Sequence, residues 1–193
     1  MQDNGSPSKL VTSKTTGFVG EDKSKVSPGK HKSKLRLFLL VTALVVALDQ
    51  LSKLRIAANQ PPTSLEFLPG FINLVFVKNY GVVFGLFSNH KGLHIALSIA
   101  GSLIILALLH YHPPTTTLGM SSLALILGGG LGNLIDRIRL GYVIDFINFQ
   151  LFRWPAFNIA DAAIIVGTFT LIYYFCKSGI LRKHYEYKRT SGD

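Results

Sequence analysis

"IADAAIIVGTFTLIYYFC", residues 159–176, places one carboxylate, Asp161, in a run that otherwise belongs in hydrocarbon. About 20 apolar residues at 1.5 Å per residue cross the roughly 30 Å core of a bilayer, so the run reads as a membrane-spanning helix. Three more runs share its character, at 35 to about 57, 93 to about 111 and 118 to about 135. The expected fold is therefore an all-α integral membrane protein with four transmembrane helices. The membrane domain covers residues 35–176, with outer connectors at 58–92 and 136–158.

Composition agrees. The chain of 193 residues is 48% hydrophobic and only 16% charged, with a mean hydropathy of +0.36. Soluble domains carry about 25% charged residues. Cys176 is the only cysteine, which excludes an internal disulfide and a CxxC redox site. The net charge of +10 is concentrated at the ends: residues 1–36 hold Lys9, Lys14, Lys23, Lys25, Lys30, Lys32, Lys34 and Arg36, and the tail 177–193 holds Lys177, Arg182, Lys183, Lys188 and Arg189. The basic N-terminal extension has no interleaved aromatic platform, and membrane-proximal anchoring is expected of the basic ends ahead of nucleic-acid binding. Residues 1–34 read as a disordered basic extension. Four crossings bring both termini to one side, and the basic tails make that side cytoplasmic. The loop "HYHPPTTT" has no Lys or Arg, whereas the outer connectors carry Lys78, Lys91, Arg139 and Arg153, so the orientation rests on the tails. The first run is not a cleavable signal peptide, because it continues into "DQLSKLR" without a small-residue cleavage site.

The outer connectors have patterns of their own. "FINLVFVKN", residues 71–79, follows the turn signal "LPG" and reads as a strand. "YGVVFGLFSNH", residues 80–90, reads as an amphipathic segment at the membrane interface. A small strand-containing element on the outer surface follows. No internal repeat supports the architecture of a secondary transporter.

Asn158 can cap the last span, which puts Asp161 at its third helical position. Asp145 arrives from the other side, in the alternating stretch "YVIDFINF". Each has an ordinary structural reading: Asp161 supports a helix N-terminus, and Asp145 pairs with Arg137 or Arg139. A carboxylate in a membrane is nevertheless unfavourable by about 2.5–3.5 kcal/mol on insertion scales, and two approaching the same depth point to function. Within a few ångströms of each other they would share a proton and titrate as a unit. That is the acid and base combination of an aspartyl protease. There is no HExxH, no P-loop and no nucleophile elbow, and His110 and His112 fall at the far end of the second span. Neither a metal nor a cofactor is expected.

Other polar groups cluster around the pair. In "GGGLGNLIDR", residues 128–137, the glycines allow close helix approach and Asn133, Asp136 and Arg137 follow near the outer end. Asp49 and Lys53 of "DQLSK" form an i,i+4 pair, and "KNYG" contributes Asn79. Asn79, Asn133, Arg137 and Asn158 can each be structural, or together form a pocket wall.

Five ordered blocks, "DQLSK", "VKNYGVVFG", "GGGLGNLIDR", "GYVIDFINF" and "FNIADAAI", make the chain resemble the bacterial lipoprotein signal peptidases (signal peptidase II), membrane aspartyl proteases, over about residues 38–176. The resemblance implies Asp145 and Asp161 as the catalytic pair. Asp49, Lys53, Asn79, Gly81, Asn133, Asp136, Arg137, Asn158 and Ala160 are implied as substrate-binding or supporting positions. It also implies prolipoprotein substrates with a diacylglyceryl-modified cysteine, cut N-terminal to that cysteine. The expected setting is the bacterial cytoplasmic (inner) membrane, with the site and the strand element near the periplasmic face. A monomer in contact with membrane lipids is expected. The chain departs from the family pattern at Val82, Val83 and Gly130, and in its extension 1–34. Two other readings are a proton-coupled carrier using the two Asp residues as a relay, and a non-enzymatic assembly partner that binds through the outer strand element. Both carboxylates near one face argue against the relay.

Overall fold

The structure is a computed structural model and describes residues 28–59, 65–81, 91–151 and 154–178. The disorder expected over residues 1–27, the interfacial segment over 82–90 and the tail beyond 178 lie outside the described residues. The described residues form helices α1 (Pro28–Asn59), α2 (Lys91–Tyr111), α3 (Thr117–Arg139) and α4 (Ile159–Ser178), and strands β1 (Leu65–Leu68), β2 (Ile72–Asn79) and β3 (Val143–Phe149). Each helix is long and apolar enough to cross a membrane.

Two helix boundaries differ from the sequence reading by more than two residues. α1 starts at Pro28, so residues 28–34 are helical and not part of a disordered extension. Proline suits the first helical turn, where its missing N–H has no intrahelical partner, and the lysines after it are good helix formers. α3 runs on to Arg139, past the expected end near 135. Its last turn, Asp136 to Arg139, carries three charged residues, but Asp136 is buried against neighbouring elements and the helix continues to carry it there.

α3 is the central element, with α1, α2 and α4 packed on it. At the Thr116 end, whose hydroxyl caps α3 by accepting from Gly119 N at 3.1 Å, the core is Phe38, Ile105, Met120, Leu123, Ala124 and Leu127. Outward faces are apolar: Leu39, Leu40, Leu44, Leu103, Val166, Phe169 and Ile172 are all exposed. Buried ions inside and exposed leucines outside invert the pattern of a soluble protein and match a lipid surround.

Close approach to α4 depends on Gly129, where an added Cβ would run into the carbonyl oxygen of Ala160. That obstacle is backbone. Gly129→Ala is expected to lower stability by about 1–3 kcal/mol through overpacking. Gly130→Ala, whose methyl would lie 3.7 Å from Ser102 Oγ, should stay close to the parent. Thermal unfolding in detergent measures both, and equal stability of the two variants would refute this packing account.

Among the described residues the strands form one antiparallel sheet in the order β1-β2-β3. β2 begins one residue after the expected start at 71. β1 and β2 are joined by a turn through Gly70, with φ +75°. β3 leaves α3 through Gly141, with φ +87°, a conformation glycine adopts without a side-chain penalty. Val77 faces Asp145 in the β2–β3 register, and Asn79 faces Val143. Phe157 then bridges to Ile147, with N–H···O distances of 3.0 and 2.8 Å, which sets the start of α4 beside β3.

Candidate active site

The first turn of α4 is built as a reciprocal cap. Asn158 Oδ1 accepts from Asp161 N at 2.9 Å, and Asp161 Oδ2 accepts from Asn158 N at 3.2 Å. A polar residue three positions after the cap satisfies two otherwise orphaned amides in this way. The same Asn158 side chain reaches across to β3, where Nδ2 donates to Asp145 Oδ1 at 2.7 Å. One residue therefore contacts both carboxylates.

Each carboxylate has further amide donors. Asn79 Nδ2 donates to Asp145 Oδ2 at 2.8 Å, and Asn79 Oδ1 accepts from Gly81 N at 2.9 Å. Asn133 Nδ2 donates to Asp161 Oδ1 at 2.7 Å. Asp145 is 1% exposed. Burial, reinforced by the charge of Asp161, pushes its carboxyl up to about 6 against the hydrogen bonds of Asn79 and Asn158 and the charge of Lys53. Both Asp145 and Asp161 line one cavity of about 980 Å³.

Behind the pair lies a buried ionic group. Lys53 Nζ sits 2.8 Å from Asp49 Oδ2, 2.9 Å from Asp136 Oδ2 and 3.0 Å from Asn133 Oδ1. The two acids then hold backbone amides next to the pair. Asp49 Oδ1 accepts from Ala160 N at 3.0 Å, one residue before Asp161. Asp136 Oδ2 accepts from Ile144 N at 3.2 Å, one residue before Asp145. Gly132 makes room for this group, since a Cβ there would fall 2.6 Å from Asp49 Oδ2.

All the positions expected from the sequence thus fall in or against one polar cluster, with one difference in pairing. Asp145 makes no ion pair with Arg137 or Arg139 among the described residues; amides take that place. Arg137 lines the cavity and donates to Ser98 Oγ at 3.3 Å, while Arg139 is exposed and lies 3.5 Å from Gln50 Oε1. Three residues escaped the sequence reading. Gln50 Nε2 donates to Asp49, to Asp136 and to the Gly132 carbonyl at 3.1–3.2 Å. Its place next to Asp49 was the available signal. His94 and Ser98 line the cavity from α2, and their spacing of four in an apolar span, continued by Ser102, was another.

A helical protein with four potential spans and two carboxylates facing one cavity at the end of the bundle has the build of a membrane hydrolase that works with acid side chains. Residues 41–177 match the family described as signal peptidase (SPase) II. The chain is 47% identical over 137 residues to a lipoprotein signal peptidase of Moorella thermoacetica, covering 70% of this chain and 90% of that one. With the lipoprotein signal peptidase of Syntrophotalea carbinolica identity is 37% over 154 residues, covering 77% and 96%. A solved structure described as a bacterial membrane enzyme superposes with a TM-score of 0.69 at 28% identity, covering 72% of this chain and 87% of that one. The chain belongs to the signal peptidase II family. It is a multi-pass membrane peptidase of the aspartic type that removes signal peptides from prolipoproteins.

Proposed function

We propose that Asp145 and Asp161 are the catalytic pair and that cleavage falls N-terminal to the diacylglyceryl-modified cysteine. The observation that carries this reading is that both carboxylates face one cavity while Asn158 holds the two of them. With one proton shared between them, the ionised member takes a proton from a water as it attacks the peptide carbonyl. The protonated member donates a hydrogen bond to the carbonyl oxygen, and a proton then passes to the leaving amine. Asn79, Asn133 and Asn158 fix the carboxylate orientation. Among the described residues no group of three or more His, Cys, Asp or Glu is arranged to hold a metal ion. Purified protein should cleave a lipid-modified prolipoprotein at the same rate before and after EDTA. Loss with EDTA and recovery with zinc would overturn the carboxylate assignment.

The proposed orientation places both termini in the cytoplasm, with the pair, the sheet and the cavity mouth at the outer, periplasmic face. It is supported by Lys32, Lys34 and Arg36 at the start of α1 and by Lys177 at the end of α4, all at the bundle end away from the pair. We take the protein to work as a monomer surrounded by lipid, a reading in keeping with one chain supplying both Asp residues to the same cavity.

Arg137 is proposed to hold a substrate carbonyl beside the pair, because its fork of donors lines the cavity with a hydrogen bond to Ser98. Arg137→Lys keeps the charge and loses the fork. It is expected to reduce kcat/KM by about tenfold or more, the scale of one charge-assisted hydrogen bond. Arg139→Lys, out on the surface, should have little effect. Equal losses at the two positions would remove Arg137 from the site.

A further inference from the structure

The cavity has two chemically distinct ends. Asn79, Asn133, Arg137, Asp145 and Asp161 line the outer end, and Ile104, Ile105, Ile126, Ile164 and Ile165 line the inner end. It follows α3 from Arg137 to Ile126 and α2 from His94 to Ile105, about 16 Å along either helix at 1.5 Å per residue. The two serine hydroxyls that α2 brings to the wall are turned back on their own helix: Ser98 Oγ donates to the His94 carbonyl and Ser102 Oγ to the Ser98 carbonyl, each at 2.9 Å. The groups with donors to spare are therefore at the outer end. An occupant with a polar head and an apolar tail satisfies both ends.

The cavity also opens sideways. Leu97 and Ile104 of α2 and Ile165 of α4 line it and are at the same time 54%, 60% and 45% exposed. These helices both pack on α3 and not extensively on each other, so an apolar tail can enter from the bilayer between them. The inner space exists partly because two wall residues lack side chains. A Cβ on Gly101 would meet nothing within 4 Å, and one on Gly130 would meet only Ser102 Oγ at 3.7 Å. Larger residues there would grow into the space without striking backbone.

We propose that the inner end of the cavity receives an acyl chain of the substrate's diacylglyceryl group, and that Gly101 and Gly130 set the length of chain it accepts. The proposal rests on the reading of this cavity as the active site. A chain shortened below the depth of Gly101 loses nothing when that position is filled, whereas a longer chain must leave methylenes unburied.

The test compares two lipopeptides that differ only in carrying octanoyl or palmitoyl chains on the glycerol. Cleavage of both is followed in detergent for the parent and for Gly101→Ala, Gly101→Val and Gly101→Phe. The ratio of kcat/KM for palmitoyl over octanoyl should fall stepwise along the series and reach about one tenth of the parent ratio at Phe, the effect of leaving about two methylenes without a buried site. Leu103→Phe, on the lipid face of α2 and outside the cavity, should keep the parent ratio. The ratio is internal to each variant, so a general loss of folded protein does not move it, and the alanine variant adds only one methyl group. An unchanged ratio across the series would give the space to a bulk lipid or to the signal-peptide helix and overturn the proposal. Failure of the parent to cleave either lipopeptide would overturn the active-site reading itself.

Discussion

Asp145→Asn and Asp161→Asn are each expected to lower prolipoprotein cleavage by about a thousandfold or more, within the range that general acid–base catalysis contributes. Asparagine has nearly the same shape, and at Asp145 its amide oxygen can still accept from Asn79 or Asn158, which now donate at 2.8 and 2.7 Å. It cannot ionise, and it cannot exchange a proton with its neighbour. The fold should survive, because the buried ion group of Asp49, Lys53 and Asp136 is untouched. Thermal unfolding and elution from a sizing column check that survival alongside turnover. If either variant keeps near-parent turnover, the pair is wrongly assigned.

The same pair sets an expectation for pH. With its carboxyl raised to about 6, Asp145 holds a proton in the fold over a range where an unfolded aspartic acid has lost it. The folded state then binds more protons than the unfolded one between about pH 4 and 6, so this group's contribution makes stability fall as pH rises through that window. For catalysis, the alkaline fall of kcat/KM should come at or above pH 6 and not in the usual carboxylate range. In Asp145→Asn the residual rate should lack that limb. A limb that persists unchanged there would belong to another group.

Much of the site was legible because it is locally encoded. Asn158 and Asp161 are three residues apart, the spacing of a reciprocal helix cap, and Asp49 and Lys53 are one helical turn apart. The spans were legible from the length of their apolar runs, although their ends were not: polar residues at the end of α3 look like loop until the elements that bury them are known. What local spacing could not give is who meets whom across the chain. Asp136 completes the Lys53 group from more than eighty residues away, and Asp145 takes amides where the charge pattern suggested an arginine. Ser98 shares one face of α2 with His94 and Ser102, each four residues away, but only the packing of α2 on α3 brings it to Arg137. The pairing of β3 with β2 likewise depends on where α3 ends.

Lys53→Met is expected to be the most damaging single change to stability. Lys53 is 2% exposed, Asp49 is 0% exposed, and the ammonium lies within 3 Å of carboxylate oxygens from two helices. Methionine matches the length of the stem and removes the charge, leaving two buried carboxylates facing each other without a cation. Breaking a buried ion group by deleting one partner typically costs about 3–5 kcal/mol. Here the loss also reaches the chemistry, because Asp49 and Asp136 hold the amides of Ala160 and Ile144, each one residue before a proposed catalytic aspartate. Thermal unfolding in detergent should show the destabilisation, and cleavage at a temperature where the variant remains folded should still be reduced. Adding Asp136→Asn to Lys53→Met removes one of the two stranded charges, and the double variant should be more stable than Lys53→Met alone, a non-additivity of the kind that directly interacting residues produce. Strictly additive losses would show that Lys53 is not neutralising Asp136, and a Lys53→Met protein as stable as the parent would mean that the ammonium does not hold the group together.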